Sequence, residues 1–254
     1  LAPGASSPNR RTGRDLGSHT CGVTTAGAAY CWGSGALGNG TTNRSMAPVV
    51  VSGGLTFVAL SAGQYHTCGL TTGGAAYCWG YNEFGRLGNG TTTNSTTPVA
   101  VSGGLTFATL SAGGLHTCGV TTGGTAYCWG HNTYGELGTG TFTSGPTPVA
   151  IVGGLTIAAV SSGQFHTCGV TTGGAACCWG LNKYGELGSV TPHDSSAVPV
   201  AVSGGMTFAS VSTGYYFTCG LSAGGSAYCW GMNWYGELGD GSTTSTSTPV
   251  AVAG

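Results

Sequence analysis

The residues with the clearest chemical potential in this 254-residue chain are its 11 cysteines. Ten of them form five pairs, and the two members of each pair are ten residues apart. Zinc sites usually show Cys-x-x-Cys spacing or mixtures of Cys and His, and no such pair occurs here. The spacing therefore favours disulfides over a metal site. The predicted bonds are Cys21–Cys31, Cys68–Cys78, Cys118–Cys128, Cys168–Cys178 and Cys219–Cys229.

Each pair brackets a short turn such as Thr72-Gly73-Gly74, which predicts a β-hairpin with the two cysteines on opposite strands. Directly opposed residues in an antiparallel pair have Cβ atoms roughly 4.5–5.5 Å apart, close to what a disulfide requires. Disulfides persist in oxidising compartments. We therefore expect an extracellular, periplasmic or lumenal chain.

Cys177 is the cysteine without a partner at this spacing. It stands where the other repeats have Tyr30, Tyr77, Tyr127 and Tyr228. An unpaired cysteine in a secreted chain is either buried and inert or available for an intermolecular bond. We predict a free thiol at this position.

Three segments resemble catalytic or cofactor motifs. Gly33–Gly38 fits G-x-G-x-x-G, but no βαβ unit follows it. Gly220–Gly224 fits G-x-S-x-G, but it lies on a predicted hairpin rather than a strand-to-helix turn. His193-Asp194-Ser195 are consecutive and cannot adopt triad geometry. The sequence thus predicts a non-enzyme without a cofactor.

Histidine and glutamate recur at fixed repeat positions. The histidines are His19, His66, His116 and His166, with Phe217 at that place in the fifth repeat. The glutamates are Glu136, Glu186 and Glu237, with Arg86 at that place in the second repeat. Residues that recur in this way are expected to pack and hydrogen-bond within the scaffold rather than to bind metal or catalyse.

These positions belong to five copies of one unit. The segment from His66 to Gly80 returns at 116–130 and 166–180, and diverged copies occupy 19–33 and 217–231. A period near 50 residues with short β-like runs is typical of propeller blades. The chain is predicted to form a single domain, with residues 1–18 divergent or poorly ordered. The approximate repeats are 1–52, 53–102, 103–152, 153–203 and 204–254.

Four strands are predicted in each unit. In the second unit they are Leu55–Ser61, His66–Thr71, Ala75–Trp79 and Pro98–Val101, with the proline at the first strand position. The fold class is therefore all-β, a propeller of about five four-stranded antiparallel blades with one cross-strand disulfide per blade.

The repeat resembles a known family. Gly-x-x-His-Thr-x-Gly-Leu followed by Ala-Tyr-x-Trp-Gly-x-Asn-x-Tyr-Gly-Glu-Leu-Gly is similar to the regulator-of-chromosome-condensation repeat. The clearest copies span 63–88, 113–138, 163–188 and 214–239. The resemblance implies a β-propeller in which the Trp-Gly and Leu-Gly positions pack between blades. Family propellers usually have seven blades, so five repeats imply either a smaller closed ring or part of a longer array.

Composition narrows the function. Charged residues are 5% of the chain and the formal net charge is −1, which excludes a polybasic nucleic-acid surface. No apolar run approaches the roughly 18–20 residues of a membrane-spanning helix.

Candidate binding residues follow each Trp-Gly, where the repeats differ most and loops are expected. Loop aromatics beside Ser, Thr and Asn suit protein contacts and equally suit stacking on sugars. The candidates are Tyr81, Glu83, Phe84, His131, Tyr134, Lys183, Tyr184, Met232, Trp234 and Tyr235. Of these, Tyr81, Glu83, His131, Lys183, Met232 and Trp234 are expected to be the better exposed.

Three functions remain open. The first is a secreted binding scaffold that recognises a protein partner, and the second is a lectin-like module that binds a glycan. The third, guanine-nucleotide exchange with chromatin binding, is implied by the family resemblance, and the five predicted disulfides and the low charge weigh against it.

Overall fold

The structure, a computed structural model, describes residues 2–3, 19–190 and 194–254. The described residues form strands, turns and bends, and no helix occurs among them. Twenty strands make five four-stranded antiparallel sheets, here called blades 1 to 5 in chain order. The predicted all-β class with four strands per blade is confirmed. Residue 1, residues 4–18 and residues 191–193 lie outside the described part, so the prediction about 1–18 concerns mostly undescribed residues.

Blade 1 consists of β1 (Ala2–Pro3), β2 (His19–Val23), β3 (Ala29–Gly33) and β4 (Ser45–Val50). Blade 2 consists of β5 (Phe57–Ala62), β6 (His66–Thr71), β7 (Ala76–Gly80) and β8 (Ser95–Ala100). Blade 3 consists of β9 (Phe107–Ala112), β10 (His116–Thr121), β11 (Ala126–Gly130) and β12 (Gly145–Ala150). Blade 4 consists of β13 (Ile157–Ser162), β14 (His166–Thr171), β15 (Ala176–Leu181) and β16 (Ser195–Ala201). Blade 5 consists of β17 (Phe208–Thr213), β18 (Phe217–Ser222), β19 (Ala227–Gly231) and β20 (Thr246–Ala251).

The chain divides into two compact units, and the boundary passes through blade 3. Unit 1 comprises residues 1–122, 129–131 and 144–148. Unit 2 comprises residues 123–128, 132–143 and 149–254. Each unit is described by itself below.

The disulfides join the second and third strands of each blade. Cys68 lies directly opposite Cys78 in the register of β6 and β7, and the two form a disulfide with Cα atoms 4.1 Å apart. The same opposition holds for Cys21–Cys31, Cys168–Cys178 and Cys219–Cys229. Cys118 and Cys128 of blade 3 are disulfide-bonded as well. The prediction of one disulfide per blade is therefore confirmed.

The turn inside each hairpin requires glycine. Gly74 has φ of +78°, and a Cβ added there would lie 2.6 Å from Cγ2 of Thr106 and 3.0 Å from the carbonyl oxygen of Phe107. The Gly74 carbonyl accepts a hydrogen bond from the Phe107 amide at 2.8 Å. Because a side chain would be strained and would also separate these groups, this turn both closes its own blade and joins it to the next.

Tryptophan, leucine and glycine form the packing between blades. In unit 1, Trp79 and Leu37 are fully buried, and Gly38 approaches the Trp79 indole so closely that a Cβ would lie 2.9 Å from Nε1. In unit 2, Gly188 approaches Trp230 in the same way, at 2.8 Å. The implied packing of Trp-Gly against Leu-Gly is therefore present in both units.

The fourth strand begins earlier than predicted. In blade 2 it starts at Ser95, so Pro98 lies inside the strand and not at its first position. The register of β7 and β8 shifts between Cys78 and Gly80, which leaves an irregular segment around Pro98. Because β8 is the last strand of its sheet, a proline without an N–H is tolerated there. The first and third strands begin one or two residues later than predicted.

Candidate binding surface

Two loops of each blade hold the candidate residues. The long loop joins the third and fourth strands and covers 81–94 in blade 2, 131–144 in blade 3, 182–194 in blade 4 and 232–245 in blade 5. The short loop joins the first and second strands and covers 63–65, 113–115, 163–165 and 214–216 in the same blades. Neither loop is a regular strand, so side-chain hydrogen bonds must fix its shape.

A buried asparagine anchors each of these long loops. Asn82 is fully buried, and its Oδ1 accepts a hydrogen bond from the Leu87 amide at 2.9 Å. Its Nδ2 donates to the carbonyls of Thr91 and Thr93 at 2.9 and 3.0 Å. Asn132 and Asn233 make the corresponding bonds in their own loops. The asparagine therefore holds the two ends of the loop together and presents the aromatic residue that follows it.

Sequence reasoning did not assign a role to this asparagine. The signal was present, since an asparagine follows Trp-Gly-x in blades 2 to 5 while its neighbours vary. A buried amide with donor and acceptor groups explains why the position is constant.

The recurring glutamate holds the turn behind the aromatic. Oε2 of Glu186 accepts a hydrogen bond from the Tyr184 amide at 2.8 Å, and the corresponding bonds of Glu136 and Glu237 are 2.9 and 2.8 Å. The backbone carbonyl of Glu186 accepts from Nε1 of Trp230 at 2.9 Å. The scaffold role predicted for these glutamates is confirmed.

The recurring histidines join adjacent blades. Nε2 of His66 lies 2.7 Å from Oγ1 of Thr117 in unit 1, and Nε2 of His166 lies 2.9 Å from Oγ1 of Thr218 in unit 2. Burial lowers the pKa of His166 from 6.5 to about 3, and burial followed by the charge of Arg86 lowers the pKa of His66 well below 6.5. The lowered pKa values favour the neutral form of both imidazoles at physiological pH. The described residues contain no cluster of three or more His, Cys, Asp or Glu that could hold a metal.

The rings of unit 2 form a continuous group, which we call the ring cluster: Tyr134, Phe165, Tyr184, Tyr215, Tyr216 and Trp234. Tyr184 is at its centre, with its ring centroid 5.5 Å from that of Tyr216 and 5.2 Å from that of Trp234, both edge-to-face. Phe165 lies 5.4 Å from Tyr134 edge-to-face and is stacked on Tyr216 at 6.1 Å. Tyr215 meets Tyr216 at 4.7 Å. Long loops and short loops of blades 3 to 5 therefore supply one aromatic surface.

Part of the ring cluster faces solvent. Trp234 is 56% exposed, Tyr215 41% and Tyr134 38%. The adjacent Tyr235 is 87% exposed. Exposed rings held by edge-to-face neighbours are rigid, and rigid aromatics lose little conformational entropy on binding.

Unit 1 arranges the same repeat positions differently. The guanidinium of Arg86 lies over Tyr65 at 5.5 Å and over Phe84 at 5.6 Å, measured to the ring centroids. Phe84 meets His131 edge-to-face at 4.7 Å, and Tyr65 meets Tyr81 at 6.2 Å. The rings of unit 1 thus surround an internal cation.

The predicted binding residues divide by exposure. Tyr81, Glu83, Tyr134, Lys183, Trp234 and Tyr235 are exposed, whereas Phe84, Tyr184 and Met232 are half-buried. The expectation that His131 is exposed is wrong, because its side chain is buried against Phe84. Met232 is likewise less exposed than expected, since it is half-buried while Tyr134 and Tyr235 are exposed.

Sequence reasoning missed the short-loop rings Phe165, Tyr215 and Tyr216. An aromatic residue precedes the recurring histidine position at Tyr65, Phe165 and Tyr216. That signal indicated a second ring set, but only the fold shows that it meets the first.

Cys177 is a buried free thiol. Its Sγ lies 3.7 Å from the carbonyl of Gly169, and burial raises its pKa to about 11. The thiol is therefore protonated and shielded, and of the two alternatives for an unpaired cysteine it fits the inert one.

The sequence profile described as the Regulator of chromosome condensation (RCC1) repeat matches residues 26–70, 73–120, 123–170, 173–221 and 224–254. A second profile of the same description matches 57–86, 107–136, 157–186 and 208–237. No curated protein matches the chain in a sequence search.

Several solved structures share the fold. Human WBSCR16 superposes with a TM-score of 0.82 at 20% identity over 93% of this chain and 65% of its own. Prp20p from Saccharomyces cerevisiae gives 0.79 at 20% identity over 94% of this chain and 62% of its own. The CRINKLY WD40 ectodomain of the Arabidopsis thaliana receptor kinase ACR4 gives 0.53 at 24% identity over 92% and 63%. This chain thus spans about three fifths of their length, and the likeness shows a β-propeller fold.

Proposed function

Because the chain belongs to the regulator of chromosome condensation (RCC1) repeat family, we propose that it is an extracellular, non-enzymatic binding module whose ring cluster contacts a protein partner. The RCC1-repeat propeller is a scaffold suited to protein interaction. The single observation that carries the proposal is the exposed and continuous aromatic surface of unit 2. Aromatic residues are enriched among the residues that dominate binding energy at protein interfaces.

The disulfides support the extracellular part of the proposal. One disulfide per blade is consistent with an oxidising compartment and is unusual in the cytosol or nucleus. The structurally similar CRINKLY WD40 domain of ACR4 is the ectodomain of a receptor kinase, which supports an extracellular location for this chain.

The non-enzymatic part rests on the titratable groups. Among the described residues, the recurring histidines and glutamates have structural hydrogen bonds, and His166 is fully buried and neutral. Histidine and glutamate side chains that are hydrogen-bonded within the scaffold are not positioned to transfer protons to a substrate. Of the triad-like segment, His193 lies outside the described residues.

Protein partners are described for solved relatives. One structure shows Kap60 bound to yeast RCC1 (Prp20), and another study concerns the binding of Prp20p to Gsp1p and histones. These descriptions support a protein rather than a small-molecule partner. A nuclear exchange role for this chain is disfavoured by its disulfides and by its 5% charged residues.

A lectin-like role is the second candidate. Trp234 has an exposed ring, and the part of the long loop that follows it is rich in hydroxyl groups, including those of Ser242 and Thr244. An exposed ring can stack on a sugar while nearby hydroxyl groups form hydrogen bonds with it.

Affinity capture from the extracellular fraction of the source tests the proposal. The intact chain is compared with Trp234→Ala and with Phe142→Ala, because Phe142 is equally exposed at 56% and lies outside the ring cluster. We expect a protein that free sugars do not elute, that the Phe142 variant retains and that the Trp234 variant loses. Elution by a sugar would support the lectin role, and equal capture by both variants would refute the ring cluster as the binding surface.

A further inference from the structure

Charge is distributed unequally between the two units. Unit 2 contains five of the seven acidic residues and one of the six basic residues, so its formal net charge is −4. The described residues of unit 1 include one acid, Glu83, and two bases, Arg44 and Arg86, which gives +1. The overall charge of −1 conceals this difference. The unit with the exposed ring cluster is therefore the acidic one.

Unit 1 shows how these repeat positions bind a cation. Arg86 lies over Tyr65 and Phe84, and the side chain is 2% exposed. The rings of Tyr65 and Phe84 thus hold a guanidinium in a largely desolvated place. Interactions of this kind strengthen when the cation is desolvated.

Unit 2 has the corresponding rings without the internal guanidinium. Phe165 and Tyr184 occupy the positions of Tyr65 and Phe84, and Glu186 occupies the position of Arg86. Instead of a cation, the ring of Tyr216 fills the space between Phe165 and Tyr184. The aromatic surface consequently extends outward to Trp234 and presents ring faces and edges to solvent.

Glu186 places a buried carboxyl group next to this surface. The residue is fully buried, and its Oε1 has no hydrogen-bond partner among the described residues, while Oε2 is bonded to the Tyr184 amide. Burial, then the neighbouring phenols of Tyr215 and Tyr184, then the charge of Glu186 raise the pKa of Tyr216. The Glu186 carboxyl group is therefore within electrostatic reach of the ring cluster, and a cation bound there would favour its ionised form.

Lys183 already shows that these rings accept a cation. Its Nζ lies 5.5 Å from the centroid of Tyr184, and the side chain is exposed. The lysine ammonium is strongly hydrated and does not stack on a ring as a guanidinium does, so arginine is the cation that the rings suit better.

We propose that the ring cluster of unit 2 binds guanidinium groups of an arginine-bearing segment of a protein partner. The arginine stacks on the exposed rings around Tyr184 and Trp234 and is favoured by the acidic charge of unit 2. Arginine is preferred over lysine because its planar and weakly hydrated group stacks on aromatic faces. This inference rests on the proposed function and specifies the chemistry of the partner.

Binding of a short peptide to the full chain tests the inference. The probe is acetyl-Gly-Arg-Gly-Arg-Gly-amide, and the control peptide carries neutral citrulline in place of both arginines. Isothermal titration calorimetry is performed at low and at physiological ionic strength. We expect binding of the arginine peptide that weakens with salt, and binding of the citrulline peptide that is weaker by about fivefold or more. Equal binding of both peptides, or binding of neither, would overturn the inference.

Matched variants locate the site. Trp234→Ala should lower the affinity for the arginine peptide by about fivefold, and Glu186→Gln should lower it by a smaller factor. Phe142→Ala should leave it unchanged. Near-ultraviolet circular dichroism confirms that each variant is folded. If Trp234→Ala is folded and binds like the parent chain, the site lies elsewhere and the inference fails.

Failure of the arginine inference can be distinguished from failure of the proposed function. If the peptide does not bind but the captured partner still depends on Trp234, the ring cluster is the binding surface and only the cationic chemistry is wrong. If neither depends on Trp234, both proposals fail.

Discussion

The two units of the chain use the same repeat frame for opposite local chemistry. In unit 1, the guanidinium of Arg86 lies over the rings of Tyr65 and Phe84, so a cation of the chain itself occupies this aromatic site. In unit 2, Glu186 at the equivalent position bonds to the backbone and leaves an exposed aromatic surface. The backbone around both residues is the same, since each carbonyl accepts a hydrogen bond from the next tryptophan at 2.9 Å.

The surface therefore differs at two places, the arginine or glutamate position and the short-loop rings Tyr215 and Tyr216, which have Gly114 and Leu115 as their counterparts in blade 3. The shared frame consists of the tryptophan hydrogen bond to the carbonyl of Arg86 or Glu186 and the leucine amide hydrogen bond to the buried asparagine, and both bonds occur in the two repeats. A propeller repeat can therefore vary its surface chemistry without changing its fold. The following predictions test this separation of frame from surface.

The largest expected effect concerns the frame itself. Trp129→Ala in unit 1 and Trp230→Ala in unit 2 should each reduce the free energy of unfolding by about 3–5 kcal/mol, because each removes a fully buried indole and its hydrogen bond. Chemical denaturation measures both. A loss in one unit that greatly exceeds the loss in the other would contradict the common frame.

The second prediction concerns the carboxyl of Glu186. Burial raises its pKa from 4.5 to about 7, so the folded state holds this proton more tightly than the unfolded state. The favourable contribution of this proton binding to the free energy of unfolding is complete below pH 4.5 and is lost as the pH rises to about 7. Glu186→Gln keeps an acceptor for the Tyr184 amide and should stabilise the chain by roughly 1–3 kcal/mol at pH 8, with little change near pH 4.5.

The half-exposed Glu237 supplies the matched control for this substitution. Glu237→Gln should change the stability far less at pH 8. Equal effects of the two variants, or destabilisation by Glu186→Gln at pH 8, would show that the Glu186 charge is compensated.

The third prediction concerns acid sensitivity. The pKa of His166 falls from 6.5 to about 3 on folding. The contribution of the neutral imidazole to the free energy of unfolding is therefore present above pH 6.5 and is lost as the pH falls towards 3. At pH 5 the expected loss is about 2 kcal/mol relative to pH 8. His166→Phe, which introduces the residue found at position 217, should remove this contribution, while the like contribution of His66 and the opposite one of Glu186 remain. Denaturation at both pH values measures it, and an unchanged slope in the variant would contradict the assignment.

The smallest effect is expected at Arg86. Arg86→Met removes the attraction to Tyr65 and Phe84 but also removes a buried charge whose Nε has no hydrogen-bond partner among the described residues. The two changes oppose each other, so the unfolding free energy should change by about 1 kcal/mol or less. A loss comparable to that of Trp129→Ala would mean that the arginine belongs to the frame.

The frame was predictable from sequence because its residues repeat. The cysteine spacing fixed the hairpins, and the Trp-Gly and Leu-Gly positions indicated the packing between blades. Boundaries were less certain, since the bulge that places Pro98 inside the fourth strand leaves no pattern of its own.

The surface was less predictable because it depends on contacts between different blades. Loop variability singled out Tyr134, Tyr184 and Trp234 as candidates, but the contacts of these rings with Phe165 and Tyr216 required the fold. The burial of His131 likewise depends on Phe84 of the preceding blade, and nothing local to His131 indicates it.

The most direct test of the account is oxidative footprinting of the intact chain with and without its captured partner. Mass spectrometry then measures the oxidation of individual aromatic residues. If the ring cluster is the binding surface, Trp234, Tyr215 and Tyr134 become protected while the exposed Phe142 and Tyr81 do not. Protection of Phe142 or Tyr81, with the ring cluster still oxidised, would contradict the account.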